Sequence, residues 1–189
     1  MLLGGHGLTE YDYGNAQPFA MNTFHSGGTG ARPSKDGLDA TAFPSGVKNT
    51  PIEINETIAP LIFWKKEYRT DSGGVGTHRG GGGQIMEISH AQDAPFAINS
   101  MFDRVIHPPR GRNGGGNGET GKLYLKSGKK MKGKGRQSVP AGDRLIIEMP
   151  GGGGLGQAEN RDLGKVQTDV QNEFISEYQA QEIYKKQLK

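Results

Sequence analysis

The sequence predicts an α+β fold, mainly β: a glycine-rich antiparallel sheet body with a C-terminal helical appendage. Three observations predict it. Short runs of strand-like residues recur through the middle of the chain, and Gly- and Asp-rich turns separate them. The last thirty residues then change character, with helical apolar spacing and a single glycine, Gly164. Residues 1–160 are read as a glycine-rich β domain and 161–189 as a C-terminal helical segment.

Residues 1 to 50 contain many breakers, among them Gly4-Gly5, Gly27-Gly28, Gly30, Pro33, Gly37, Pro44 and Gly46, and are expected to be loops with at most short strands. Ile52, Ile54, Glu56 and Ile58 share one face of a two-residue repeat that Pro60 interrupts, which predicts a strand. Leu61 to Tyr68 reads as a second strand. Shorter strands are expected at 85–89, 96–101, 122–126 and 144–149. In the tail, Leu163, Val166, Val170 and Phe174 lie at helical spacing, with Asp162 placed to cap. Ser176 and Gln179 fit a capping box, so two short helices broken near Ile175 are expected.

Glycine supplies 32 of 189 residues, and Leu, Ile, Val and Phe together only 36. The core must therefore be thin for the chain length. Net charge is only +3, so self-repulsion does not hold the chain open. The glycines cluster instead of recurring every third residue, which excludes collagen. The longest apolar run, Ile58 to Trp64, has seven residues against the ~20 of a membrane-spanning helix. The first residues show no secretory signal, and without cysteine there is no disulfide framework, thiolate metal site or cysteine nucleophile. A cytoplasmic location fits these features.

The glycine clusters beginning at Gly27, Gly73, Gly114 and Gly151 are spaced roughly like propeller blades, but their flanking residues do not resemble one another. Residues 116–122 nearly complete a phosphate loop, yet Leu123 stands where a hydroxyl is needed and a strand follows where a helix is required. In a chain this rich in glycine such a match arises by chance, and no cofactor-binding residue is expected here. The basic run Lys126 to Arg136 has almost nothing to stack on a base and reads as a solvated, mobile hairpin loop, not a nucleic-acid site. The five histidines have no local metal-site spacing. Two stretches are denser in functional residue types. Residues 27–39 mix glycines with Arg32 and Asp36, and residues 71–83 repeat the style from Asp71 to Arg79. They fit either anion-binding concavities with an arginine clamp or tight turns capped by their own aspartates.

These stretches also carry a resemblance. Gly-Gly-Thr-Gly-Ala-Arg-Pro-Ser-Lys-Asp-Gly-Leu-Asp-Ala (27–40), Asn49-Thr-Pro-Ile-Glu53, Asp-Ser-Gly-Gly-Val-Gly-Thr-His-Arg-Gly-Gly (71–81) and Pro150-Gly-Gly-Gly-Gly-Leu-Gly156 resemble the C-terminal part of the hydantoinase B/oxoprolinase family. Met101-Phe-Asp-Arg104, His107-Pro-Pro-Arg-Gly111 and the tail from Arg161 to Val170 fit the same region, in the same order.

The resemblance implies the B-type subunit of an ATP-dependent cyclic amidohydrolase, opening hydantoin or 5-oxoproline-like rings together with a hydantoinase A-like subunit that handles ATP. The alternatives are a B-type-like subunit of an ATP-dependent acetone or acetophenone carboxylase, or a non-catalytic assembly module. It also implies a fragment, inactive alone, whose partners include the missing N-terminal part of the B-type subunit. ATP and a divalent metal would serve the complete enzyme, with no metal ligand in this chain. Candidate pocket-lining or loop-fixing residues are Arg32, Asp36, Asp71, Asp103, Arg104 and His107. A thin core also predicts an uncovered apolar face or unpaired edge involving Ile52, Ile54, Leu61, Phe63 and Trp64.

Overall fold

The computed structural model describes residues 1–8, 14–42, 46–47 and 49–187; the expected breaker Pro44 lies outside them. Two four-stranded antiparallel sheets account for the strands among these residues. One has the order β2-β1-β5-β7, from Leu2–Gly7 (β1), Gln17–Asn22 (β2), Phe96–Met101 (β5) and Lys134–Val139 (β7). The other has the order β3-β4-β8-β6, from Leu61–Tyr68 (β3), Gln84–His90 (β4), Lys122–Leu125 (β6) and Leu145–Glu148 (β8). Leu3, Ile98 and Val139 of the first sheet and Met86, Ile88, Leu125 and Ile147 of the second join one hydrophobic cluster. Alternation inward and outward on the strands is what lets so few apolar residues close a shared core.

Several expectations need correction. Residues 52–58 form a helix, α1, not a strand. Pro51 stands at its N-terminal boundary, and Ile54 and Ile58, four apart, share an outer face at 51% and 59% exposure. Two-residue alternation groups Ile52 with Ile54 and Ile58, whereas the helix turns Ile52 to the core and the other two outward. The short strands allowed for in residues 1–50 are β1 and β2, which pair antiparallel, and Gly5 lets Phe19 and Phe96 pack where a Cβ would stand. The basic run is not one hairpin loop: its C-terminal part is β7, paired with β5 in the opposite sheet. Ser100 Oγ and Gln137 Nε2 both donate to the Lys132 carbonyl, fixing the connection.

The expected uncovered face is also redistributed. Leu61 and Phe63 are buried in the shared core. Trp64, next to inward-facing Phe63 and at a register shift between Phe63 and Lys65, faces outward, where its indole donates to Ser89 Oγ and the Arg144 guanidinium lies over its ring.

In the tail, helix α2 (Leu163–Gln171) starts at Asp162, whose side chain accepts from the Lys165 N–H at 3.1 Å. The chain breaks after Gln171. A second helical turn, Gln179–Ile183, follows Ser176, whose hydroxyl accepts from the Gln179 N–H. Val166, Ile175, Ala180 and Tyr184 form a small second core with Val75 against them.

Between these cores lies a layer made of backbone. The clusters at 27–30, 73–83, 114–118 and 151–154 are not chiefly turns: most of their glycines lie outside the left-handed region of φ. They run alongside one another, with residues 150–154 in the middle. The Pro150 carbonyl accepts from Gly28, Gly152 bonds to both Gly81 and Gly74, the Gly153 carbonyl accepts from Ala31, and Gly154 donates to Gly116. Successive residues thus bond to different neighbours around the segment, as in a bundle of extended chains and not a flat ladder. A Cβ on Gly28 would overlap the Gly81 carbonyl, and one on Gly152 would overlap that of Thr29. Glycine is required here by close approach, the same steric reason that puts it on the collagen axis.

Candidate functional site

The glycine layer forms one wall of an open cleft of about 1150 Å³, lined by Gly27–Gly30 and Pro150–Gly153. The segment from Arg104 to Arg112 forms another wall, and backbone contacts hold it in place. Arg112 donates to the Gly154 carbonyl, Gly118 to the Pro109 carbonyl, and Gly121 to the carbonyl of Arg104, a residue with φ of 59°.

Arg104, Arg110 and Arg112 reach the cleft with His25 and His107, and no acidic side chain lines it. Among the described residues the three guanidiniums make no ion pair. The ring nitrogens of His25 are buried and lack hydrogen-bond partners. Burial, reinforced by the N-terminal ammonium and Lys66, pushes its imidazole down to about 3, so it is neutral at pH 7.

Behind the layer lies a buried charge network. Arg161, 1% exposed, grips Asp36 in a two-pronged contact at 2.8 and 2.9 Å and bonds Asp169 at 2.7 Å. Arg79 bonds Asp39 at 2.9 Å and lies 3.5 Å from Asp169, with its guanidinium over the Phe174 ring. Asp39 also accepts from Gly82 N–H, and Asp36 from Arg79 N–H at 2.8 Å. Burial pushes the Asp36 carboxyl up, but Arg161 and Arg79 outweigh it and hold it below its ordinary value. Burial also lowers the Arg161 and Arg79 guanidiniums, and their aspartates more than restore them. The network ties two glycine stretches to α2.

The six sequence candidates therefore separate in space. Arg104 and His107 line the cleft. Asp36 is locked to Arg161 behind it, and Arg32 turns away to donate to the Asp36 carbonyl. Asp71, with φ of 58°, accepts from the Ser176 N–H and so joins the glycine stretch to the tail. Asp103 is a surface residue paired with Lys134 at 2.6 Å. His25, Arg110, Arg112, Asp39, Arg79, Arg161 and Asp169 were not singled out. One signal did exist for Arg79: a long charged side chain inside a glycine run has no local partner and must find one elsewhere.

Among the described residues no three His, Asp or Glu side chains converge as a cation site, so the metal implied by the resemblance finds no ligand set here. Residues 116–121 lead into strand β6 and lack the helix N-terminus that a phosphate loop uses. No helix among the described residues is long and apolar enough to cross a membrane.

The hydantoinase B/oxoprolinase family profile matches residues 3–158. The chain is 37% identical over 135 residues to 5-oxoprolinase 1 of Arabidopsis thaliana, covering 69% of this chain and 10% of that protein. It is 30% identical over 164 residues to a chain of Pseudomonas sp. (strain NS671) provisionally named as the B-type component of a D-/L-hydantoinase, covering 82% of this chain and 27% of the other. The ATP-dependent caprolactamase of Pseudomonas jessenii shares the fold over 97% of this chain and 33% of its own, with a TM-score of 0.76 at 24% identity. A nucleotide-free acetone carboxylase does so over 97% and 29%, with a TM-score of 0.73 at 20% identity. The chain thus spans about a quarter or less of the length of these curated relatives. It belongs to the hydantoinase B/oxoprolinase family.

Proposed function

We propose, from that membership, that the chain supplies the C-terminal β-rich portion of a B-type subunit in an ATP-dependent cyclic amidohydrolase, with a hydantoinase A-like subunit handling ATP. The observation that carries the reading is the family match across 3–158, joined to relatives named as a 5-oxoprolinase and as the B-type component of a hydantoinase. The chemistry agrees with the cleft. A lactam carbonyl is a poor electrophile. Phosphorylating its imidate oxygen activates the ring carbon. Water adds there, the ring C–N bond breaks with the nitrogen leaving protonated, and a second water displaces phosphate from the resulting acyl phosphate, leaving a carboxylate. Each species after activation is anionic, and the cleft presents arginines without acids. In this reading Arg104 and His107 face the reacting ligand, whereas Asp36 and Asp71 hold the loops that shape the wall. A divalent metal and ATP belong to the remainder of the enzyme.

The test is reconstitution. The chain is co-expressed with the N-terminal remainder of a B-type subunit and an A-type subunit, and ATP turnover is followed with 5-oxoproline, hydantoin, or acetone plus bicarbonate. Ring-opened product with ADP release is expected from one of the cyclic amides. Carboxylation of acetone without amide opening would transfer the reading to the ketone carboxylases. Assembly with no turnover on any substrate would leave the chain a non-catalytic module.

A further inference from the structure

We propose that the glycine-walled cleft is a binding site for a small organic anion, holding one carboxylate or phosphoryl group between Arg104, Arg110 and Arg112. Four observations converge on it. Arg104, Arg110 and Arg112 line one cleft, and among the described residues none of them has an ion-pair partner there or elsewhere. The lining contains no carboxylate, although the chain carries 20 Asp and Glu. The His25 ring nitrogens are buried beside the cleft without a partner. Gly153, buried in the wall, has an N–H that finds no acceptor among the described residues, although its carbonyl and both neighbours are paired.

Buried donors without acceptors are uncommon because each costs the loss of its water. Here a neutral imidazole N–H and a backbone N–H both lack acceptors beside a basic opening. An oxyanion supplies several lone pairs at once and suits the planar forks of arginine. The rest of the lining, Pro108, Pro109 and Pro150, offers apolar contact for a short carbon skeleton. The glycine wall holds little for a cation, since the carbonyls of Pro150, Gly152 and Gly153 all accept hydrogen bonds from neighbouring chains already.

The experiment is an amide NMR titration of the 189-residue chain with sodium phosphate and, separately, sodium acetate, at constant ionic strength balanced with chloride. The expected result is saturable shifts at Gly27, Gly28, Gly30 and Gly153 with a Kd of about 1 mM or tighter for the preferred anion. The tighter of the two identifies a phosphoryl or a carboxylate ligand. The double variant R104Q/R112Q should weaken binding by about tenfold or more, and R136Q, on the open face of the other sheet, should not. If the double variant folds poorly, the wild-type shift map decides by itself. Shifts confined to the Lys126–Lys134 surface, or no saturation with either anion, would overturn the proposal. The titration involves no turnover, so its failure would leave the ring-opening reading standing, and failure of reconstitution would leave the anion site standing.

Discussion

Substituting Gly152 with alanine adds one methyl group at the centre of the backbone layer. Gly152 is buried, its N–H donates to the Gly81 carbonyl at 2.8 Å, and its carbonyl accepts from Gly74 at 2.8 Å. Its φ lies outside the left-handed region, so alanine suits the local backbone and the whole cost comes from collision with the Thr29 carbonyl. That carbonyl is backbone, held by the Gly81 N–H at 2.9 Å, and cannot rotate aside as a side chain could. Overpacking typically costs about 1–3 kcal/mol. Parting the segments also strands at least one buried backbone pair, at about 1–3 kcal/mol per unsatisfied group. The expected loss is about 3–5 kcal/mol, a large part of the ~5–15 kcal/mol that holds a domain together. Gly30→Ala is the control. Its Cβ would meet nothing nearer than the Gly153 carbonyl at 3.8 Å, so restricting the unfolded chain should stabilise by about 0.4–1 kcal/mol. Urea unfolding followed by circular dichroism gives both values. A Gly152→Ala variant within about 1 kcal/mol of wild type, or one no worse than Gly30→Ala, would refute the packing argument.

Three further outcomes are expected. Arg161→Met should cost about 3–5 kcal/mol by leaving buried Asp169 and half-buried Asp36 without their partner. Because Arg161 helps hold the Asp36 carboxyl below its ordinary value, the stability this contributes is full above that value and fades as pH falls through the lowered one; melting temperature against pH should flatten there in the variant. His25 should remain neutral in imidazole NMR spectra at pH 5. Since the unfolded residue takes up a proton near 6.5 and the folded one only at about 3, part of the stability should be lost as pH falls between these values. Deleting residues 129–134 should lower the melting temperature by removing the Lys132 carbonyl and the first residue of β7, whereas Lys129→Ala and Lys130→Ala should change stability by no more than about 0.5 kcal/mol.

Five of the eight strands and the broken tail helix were legible because each carries its own signal, such as Leu61, Phe63 and the capping Asp162. β7, Lys-Gly-Arg-Gln-Ser-Val, has only Val139 turned to the core, so its residues resemble a loop and its pairing with β5 decides the matter. α1 failed for the opposite reason: isoleucines at even positions carry a clear alternating signal, although the helix they form sets Ile52 opposite Ile54 and Ile58. The glycine clusters stand along the candidate cleft, but chiefly as close-packed extended backbone and not as turns. Whether glycine serves a turn or a close approach depends on what passes beside it, and Thr29 reaches Gly152 only in the folded chain. Asp36 and Arg161 lie 125 residues apart, so no local pattern joins them. Asp103 and Arg104 are adjacent in sequence yet differ in setting, one paired at the surface with Lys134 and the other facing the cleft.

The backbone layer has a consequence for the order of events in folding. Each sheet can gain apolar burial as soon as its strands meet, and neighbours such as β3 and β4 lie close in sequence. The layer gains little until residues from Gly28, Gly74, Gly81, Gly116 and Gly152 are all in place, and every glycine ordered surrenders more freedom than another residue would. Contacts of such long sequence separation form late and open early. Amides at Gly74, Gly81 and Gly152 should therefore exchange with solvent through an opening that leaves those of Met86 and Ile147 protected. The cleft wall is part of that same layer, so the cleft would dissolve while both sheets are still intact.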